Sequence, residues 1–280
     1  MNAPILVRFW PGLLPYFTVL DAMREFTSQR DADTPDQMWI LQHPPVVTLG
    51  RNADAADVLD PGPIPVIRSD RGGKVTYHGP GQWVVYLLID LPRMGINVRT
   101  LTTAMEQSVI RLLQRRGIEA HARRDAPGVY VGNAKIASLG LRIQRGRSYH
   151  GLSLNTEMDL SPFQRIHPCG MANLAVTQVH DLCPDWLSHD VAEALMAELS
   201  VSLDRPLKKE GHEHGLPTPK QKSGSWCRQN RTQPHTHHSG TYRTPPQTTV
   251  VAGTIALIPR SGPTQKILRD AALHTVCEEA

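Results

Sequence analysis

Cys169 lies in the run "RIHPCGMANLAVTQV" (165–179), held between Pro168 and Gly170. The other cysteines, Cys183, Cys227 and Cys277, form no CxxC spacing with it or with each other, so no disulfide framework or zinc cluster is signalled. A free thiol is only a few per cent ionised at neutral pH, and a nearby ammonium favours the thiolate. Such a sulfur in a tight corner could accept an acyl group as a thioester and yield it to an amine. The competing reading is core filler, the ordinary fate of a free cysteine and the one assigned to Cys183. Lys135, in "GNAKIASLG", interrupts an apolar strand pattern where an ammonium needs a partner or water. Its bland alternative is an edge lysine that guards the sheet against aggregation. The third feature is "DRGGKVTYHGPGQ" (70–82), whose glycines let backbone N–H groups approach a ligand, although a turn between strands looks similar. His78, His150 and His167 are candidates for proton handling, each set against an ordinary surface or satisfied interior role.

These residues must be positioned by the elements around them. The segment 38–52 gives two short apolar runs split by Pro44 and Pro45, and "IPVIRSD" (64–70) gives a third. "VVYLLIDL", after the Gly-Pro-Gly turn, is apolar enough for a strand buried on both faces. From Val98 to Arg116, Leu101, Met105, Val109, Leu112 and Leu113 recur at helical spacing with Gly117 at the end, and a helix is also expected over 16–29. Residues 127–160 read as an antiparallel meander turned at Gly132-Asn133 and Gly146. A final helix over 185–203 carries the stripe Val191, Leu195, Met196 and Leu199. The order predicts one mixed α/β domain over residues 1–205.

With 280 residues, 40% hydrophobic and 20% charged, the chain suits a globular protein with a sizeable core. Its net charge of +4 comes from the C-terminal end, so the body is not marked as a nucleic-acid binder. No run is long and apolar enough for a membrane span, and Arg8, Pro11 and Pro15 break the N-terminal run that could resemble a signal peptide. A reducing cytoplasm with free thiols is the resulting expectation. Residues 206–280 form a basic extension rich in Pro, His and Thr; between 208 and 247 it holds too few aliphatic residues to offset chain entropy, and it is expected to be largely disordered. Its histidine runs (212–214 and 235–238) are too loosely spaced to assign a metal, and none is expected.

Taken together, "HPPVVTLGRNAD" (43–54), "DRGGKVTYHGPGQWVVYLLIDL" (70–91), "GVYVGNAKIASLGLRI" (128–143), "HGLSLNTEMDLSPF" (150–163) and "PCGMANLAVTQV" (168–179) resemble the lipoyl/octanoyl transferases of lipoate biosynthesis, over about residues 4–205. The sequence departs from that pattern at Ser153, where alanine is usual, and at Asn173, where glycine is common. The resemblance implies an α/β (α+β) fold, a mixed sheet with flanking helices like that of biotin and lipoate protein ligases. It implies that octanoyl passes from octanoyl-acyl carrier protein to the lysine ε-amine of lipoyl domains, in 2-oxoacid dehydrogenase complexes and the glycine cleavage H protein, with no cofactor. It further implies that Cys169 holds the acyl-thioester beside Lys135. Arg71, Gly72, Gly73, Lys74, Val75, Thr76, Tyr77 and His78 would line the substrate pocket with Ser138, Leu139, Gly140, Gly151, Leu152 and Ser153. Two rivals stand beside it: an ATP-dependent lipoate or biotin ligase of the same fold, and a non-catalytic acyl-binding protein.

Overall fold

A computed structural model of the chain describes residues 3–210. Most of the basic extension, with its histidine runs, Cys227 and Cys277, lies outside the described residues. The N-terminal half runs β1 (Ile5–Leu13), α1 (Tyr16–Gln29), β2 (Gln37–Gln42), β3 (Val46–Leu49), β4 (Val66–Arg68), β5 (Val75–His78) and β6 (Gln82–Leu88). After it come α2 (Leu91–Met94), α3 (Val98–Gln114), β7 (His121–Ala122), β8 (Gly128–Val131), β9 (Ala134–Gln144), β10 (Arg147–Asn155), α4 (Val179–Leu182), α5 (Ser188–Leu203) and β11 (Leu207–Lys209).

The strands form an eight-stranded sheet in the order β11-β1-β2-β6-β10-β9-β8-β7 and a small sheet β4-β3-β5. Strands β11 and β2 flank β1 in parallel, and the rest of the large sheet is antiparallel. Alternation along the central strands explains the three layers. Met38, Ile40, Val85 and Leu87 pack with Leu101, Met105, Val109, Leu195 and Leu199, which places α3 and α5 on one face. Trp39, Leu41, Val84, Tyr86 and Leu88 pack with Val19, Leu20 and Met23 of α1 on the other. The expected doubly buried strand is therefore β6.

Helix α3 starts where Asn97 accepts a hydrogen bond from the Thr100 amide at 2.9 Å, and Gly117 follows its end at φ 70°. Arg111, off the apolar stripe, reaches across to Glu198 of α5 at 2.8 Å. The meander over 127–160 is β8, β9 and β10. Two features were not legible in the sequence. Strand β1 runs through Pro11 near its end, and the sheet continues to β11, past residue 205.

Candidate active site

The turn Pro168–Gly170 holds Cys169 at φ 59° and Gly170 at φ 66°, two successive left-handed residues. The Gly170 amide donates to His167 O at 2.8 Å and the Met171 amide to Pro168 O at 3.1 Å, which closes the corner. Glycine takes this conformation freely, but a cysteine there costs about 1–2 kcal/mol. The chain accepts that cost to present a half-buried thiol. Asn173 also sits at φ 59°. Asparagine tolerates this region better than most other side chains, so it can occupy a position whose backbone favours glycine.

Lys135 is 34 residues from Cys169 in sequence, yet its Nζ donates to Cys169 Sγ at 2.9 Å and to Pro127 O at 2.8 Å. The side chain is buried at 3% exposure, with Nζ 5.4 Å from the Tyr130 ring centre. The edge-lysine alternative is thereby removed. Backbone pairing fixes the approach: the Lys135 amide donates to Ala175 O at 2.8 Å, and the Thr177 amide donates back to Lys135 O at 3.0 Å. The loop after the cysteine is thus stitched to the lysine's own peptide groups.

Gly128 makes room for the ammonium. It sits at φ 151°, and a Cβ there would meet Lys135 Cε at 2.5 Å, Lys135 Nζ at 2.8 Å and Ala137 O at 2.6 Å. Gly128→Ala is therefore expected to push the ammonium off the sulfur and lower turnover at least tenfold, whereas Gly12→Ala, at a glycine with open space around it and no left-handed backbone, leaves turnover within twofold. Equal rates for the two variants would contradict this reading of the cradle.

Cys169 and Lys135 open on a cavity of about 460 Å³. Of the residues expected at the pocket, Arg71, Gly72, Gly73, Lys74, Val75, Thr76, His78, Ser138, Leu139, Gly140, Gly151, Leu152 and Ser153 all line it. Tyr77 is the exception. It faces away and packs edge-on against Phe163 at 5.5 Å, in a cluster with Met158 and Ile166. The extended stretch 71–78 was read as one lining segment, whereas strand alternation in β5 sends this side chain away from the cavity. His167 also lies off the cavity, in a neighbouring hollow with Leu59 and Phe163. Cys183 rests against the main core and donates to Asp185 at 3.1 Å.

Sequence reasoning missed several wall residues. Val98, Thr102 and Met105 of α3 line the cavity at i, i+4 and i+7; of these only Met105 belonged to the apolar stripe read from the sequence, and it was read as core. Tyr16 and Tyr86 close another part of the wall beside His150, which the sequence had offered only as a candidate for proton handling. Arg71 is buried, with Nη2 donating to Thr48 O at 2.8 Å and Nη1 to Gly72 O at 3.0 Å.

A polar cluster supports the aromatic wall. His43 Nδ1 donates to Leu14 O at 2.7 Å, leaving Nε2 to accept from Tyr86 Oη at 2.7 Å. Burial drives the His43 imidazole down to about 4 and, with His43 beside it, the His78 imidazole down to about 3. The Asp70 carboxyl is pushed up by burial, but hydrogen bonds from His150, Tyr149 and Arg24 outweigh this and hold it well below the usual carboxylate range. The unfolded chain binds protons at histidine near pH 6.5, and the folded chain resists until far lower pH, so stability falls as pH falls through that window. Between pH 7 and pH 5, His43 and His78 should each cost on the order of 1–2 kcal/mol of stability, read from urea unfolding. An unfolding midpoint unchanged over that range would contradict the depressed values.

Among the described residues, no group of side chains is arranged to hold a metal ion, and no helix is long and apolar enough to cross a membrane. A mixed sheet with flanking helices thus walls a cavity beside a lysine-paired thiol. The family model of the lipoyl protein ligase A/B catalytic domain matches residues 15–200. An octanoyltransferase of Hahella chejuensis is 57% identical over 194 residues, covering 69% of this chain and 86% of that protein. One from Methylococcus capsulatus is 56% identical over 192 residues, covering 69% and 93%. The chain belongs to the octanoyltransferase branch of the lipoyl protein ligase A/B family. A solved bi-partite lipoate protein ligase from Thermoplasma acidophilum shares the fold, with TM-score 0.59 and 17% identity, over 75% of this chain and 87% of that one.

Proposed function

We propose that this acyltransferase moves octanoyl from octanoyl-acyl carrier protein onto Cys169 as a thioester, and then onto the ε-amine of a lipoyl-domain lysine. The observation that carries the proposal is the 2.9 Å contact between Lys135 Nζ and Cys169 Sγ in the wall of an acyl-sized cavity. The octanoyltransferase relatives support the acyl group, and the Thermoplasma structure, described with its E2 lipoyl domain, supports the class of acceptor. Lipoyl domains of 2-oxoacid dehydrogenase complexes and the glycine cleavage H protein are the proposed acceptors, and the cytoplasm the proposed compartment.

In the first half-reaction the Cys169 thiolate, paired with the Lys135 ammonium, attacks the donor's carbonyl carbon. A carbon–sulfur bond forms, the tetrahedral intermediate collapses, and the carrier's thiolate leaves to take up a proton. One thioester replaces another, so no ATP is needed. In the second, the acceptor amine attacks the Cys169 thioester and loses a proton, and Cys169 Sγ departs as thiolate; Lys135 is placed to relay the proton. The amides of Gly72 and Gly170 are already spent on Leu141 O and His167 O. Those of Cys169 and Gly73 carry no such bond among the described residues and are the proposed oxyanion donors. Lys74 adds charge there, its Nζ lying directly against Gly170.

The cavity supplies chain selectivity. Burying six methylenes at roughly 0.8 kcal/mol each gives about 5 kcal/mol before ordering costs. Two carbons more or fewer should then change kcat/KM by on the order of 10-fold.

The test is incubation of the full chain with octanoyl-acyl carrier protein and a lipoyl domain, without ATP. The expected result is one octanoyl group on the acceptor lysine. Incorporation that requires free acid and ATP would instead mark a ligase.

A further inference from the structure

Arg71 carries a buried charge that the folded chain does not neutralise. Its guanidinium donates only to neutral oxygens: Nε to Thr48 Oγ1 at 3.3 Å, Nη2 to Thr48 Oγ1 at 2.9 Å and to Thr48 O at 2.8 Å, and Nη1 to Gly72 O at 3.0 Å. Asp70, the adjacent carboxylate in sequence, pairs instead with Arg24 at 3.0 Å and His150 at 2.9 Å. Among the described residues no carboxylate pairs with Arg71. The ionisable groups that act on it most strongly are Tyr16, Tyr86 and Cys169. Burial pushes both phenols up, so neither is an anion at neutral pH. A guanidinium stays charged where burial disfavours it, and a buried charge without a counter-charge is costly.

The Nη1 bond falls on the peptide group that joins Gly72 to Gly73. The carbonyl of that group takes the guanidinium, and its N–H is the Gly73 amide, which has no partner among the described residues. Around it the loop is tied down. The Gly72 amide donates to Leu141 O at 2.8 Å, while Arg71 O accepts from the Arg51 amide at 2.9 Å and Gly73 O from the Asn52 amide at 3.1 Å. A Cβ on Gly50 would meet Nη1 at 2.8 Å and Gly73 O at 2.4 Å, and one on Gly140 would meet Gly72 O at 2.9 Å. Only glycine at both positions leaves room for this contact. A peptide is conjugated, so a cation on its oxygen draws density from its nitrogen and strengthens the N–H as a donor. Arg71, Gly73 and Cys169 line one cavity.

We propose that Arg71 is a positioning residue of the transfer reaction, which aims and polarises the Gly72–Gly73 peptide so that the Gly73 amide holds the oxyanion. This rests on the octanoyl-transfer reading above and adds a group that acts through another. When Cys169 Sγ bonds to the donor's carbonyl carbon, the C=O π pair moves onto oxygen, and that oxygen becomes the negative charge the cavity lacked. No proton moves to or from Arg71. On collapse the pair returns to re-form C=O, and the carbon–sulfur bond to the carrier breaks.

The experiment measures single-turnover loading of Cys169 in the full chain from octanoyl-pantetheine and from its dithioester, in which C=S replaces C=O. Sulfur is a weak hydrogen-bond acceptor, so the ratio of the two rates reports the oxyanion donors. Arg71→Lys keeps a cation but cannot span Thr48 and Gly72 O at once. It should lower the maximal loading rate from the thioester on the order of 10²-fold, with the half-saturating concentration within about threefold. The oxygen-to-sulfur rate ratio should fall at least tenfold below wild type. Alkylation of Cys169 by iodoacetamide forms no oxyanion and should stay within twofold. Thr48→Val, which removes the hydroxyl that anchors the guanidinium, should shift the ratio in the same direction, and it serves if Arg71→Lys does not fold. An unchanged ratio in a folded variant overturns the proposal, as does alkylation that falls as far as loading. A wild-type chain that never loads octanoyl overturns the transfer reading and this one with it, whereas loading with an unchanged ratio overturns this one alone.

Discussion

Replacing Cys169 with alanine is expected to abolish octanoyl transfer, lowering kcat/KM on the order of 10⁴-fold or more, while the thermal midpoint stays within a few degrees of wild type. The two halves of that expectation have separate causes. The sulfur is the atom to which the acyl group would be bonded, and neither the Lys135 ammonium nor a backbone amide can replace it. The fold does not depend on it: the thiol is half-buried, lies on a 3-10 turn outside the three apolar clusters, and donates to no buried acceptor. Alanine inherits the φ of 59°, so the strain is retained and not exchanged for a new defect. Serine preserves the shape but is a far weaker nucleophile without a base, and it should be nearly as inactive. Transfer by Cys169→Ala at more than a hundredth of the wild-type rate would refute covalent catalysis at this residue.

Lys135→Met should slow transfer about 10²- to 10³-fold, the usual worth of a positioned proton-handling group. Methionine has nearly the length of the lysine stem, so the buried site next to Gly128 and Tyr130 stays filled. What is lost is the charge within 2.9 Å of the sulfur. Alkylation by iodoacetamide isolates that loss, because it reports the reactivity of the Cys169 sulfur without the acyl substrate. The Cys169 rate should fall severalfold in the variant, and Cys183, which bonds to Asp185 away from the lysine, should alkylate at an unchanged rate. Equal Cys169 alkylation in both proteins would mean that the lysine contact does not activate the sulfur.

Much of this arrangement was legible in the sequence, for physical reasons that differ by element. Helices α3 and α5 carry apolar stripes long enough to fix both their type and the face they bury, whereas α1 was expected by position with no face assigned. Cys169 and Lys135 stood out because each violates its surroundings: a thiol in a Pro-Gly corner, and an ammonium in an apolar strand. Their contact was expected only from the resemblance, since it depends on the loop at 175–177 pairing with the Lys135 peptide groups, a long-range event with no local pattern. The orientation of Tyr77 was lost because a reading by segment ignored the two-residue period of β5. Strand β1 was obscured by Pro11, which is tolerated at the end of the strand. The hydrogen-bond chain from Thr177 through Asn155 and Gln82 to His78 joins four separated segments and could be seen only in the fold.

The most direct test of the central claim is the intact mass of the full chain after incubation with octanoyl-acyl carrier protein and no acceptor, followed by peptide mapping. The expected result is a gain of one octanoyl group, located on Cys169, stable until a lipoyl domain is added and then discharged. An adduct on any other residue, or transfer to the lipoyl domain with no octanoyl-enzyme formed on the way, would contradict it.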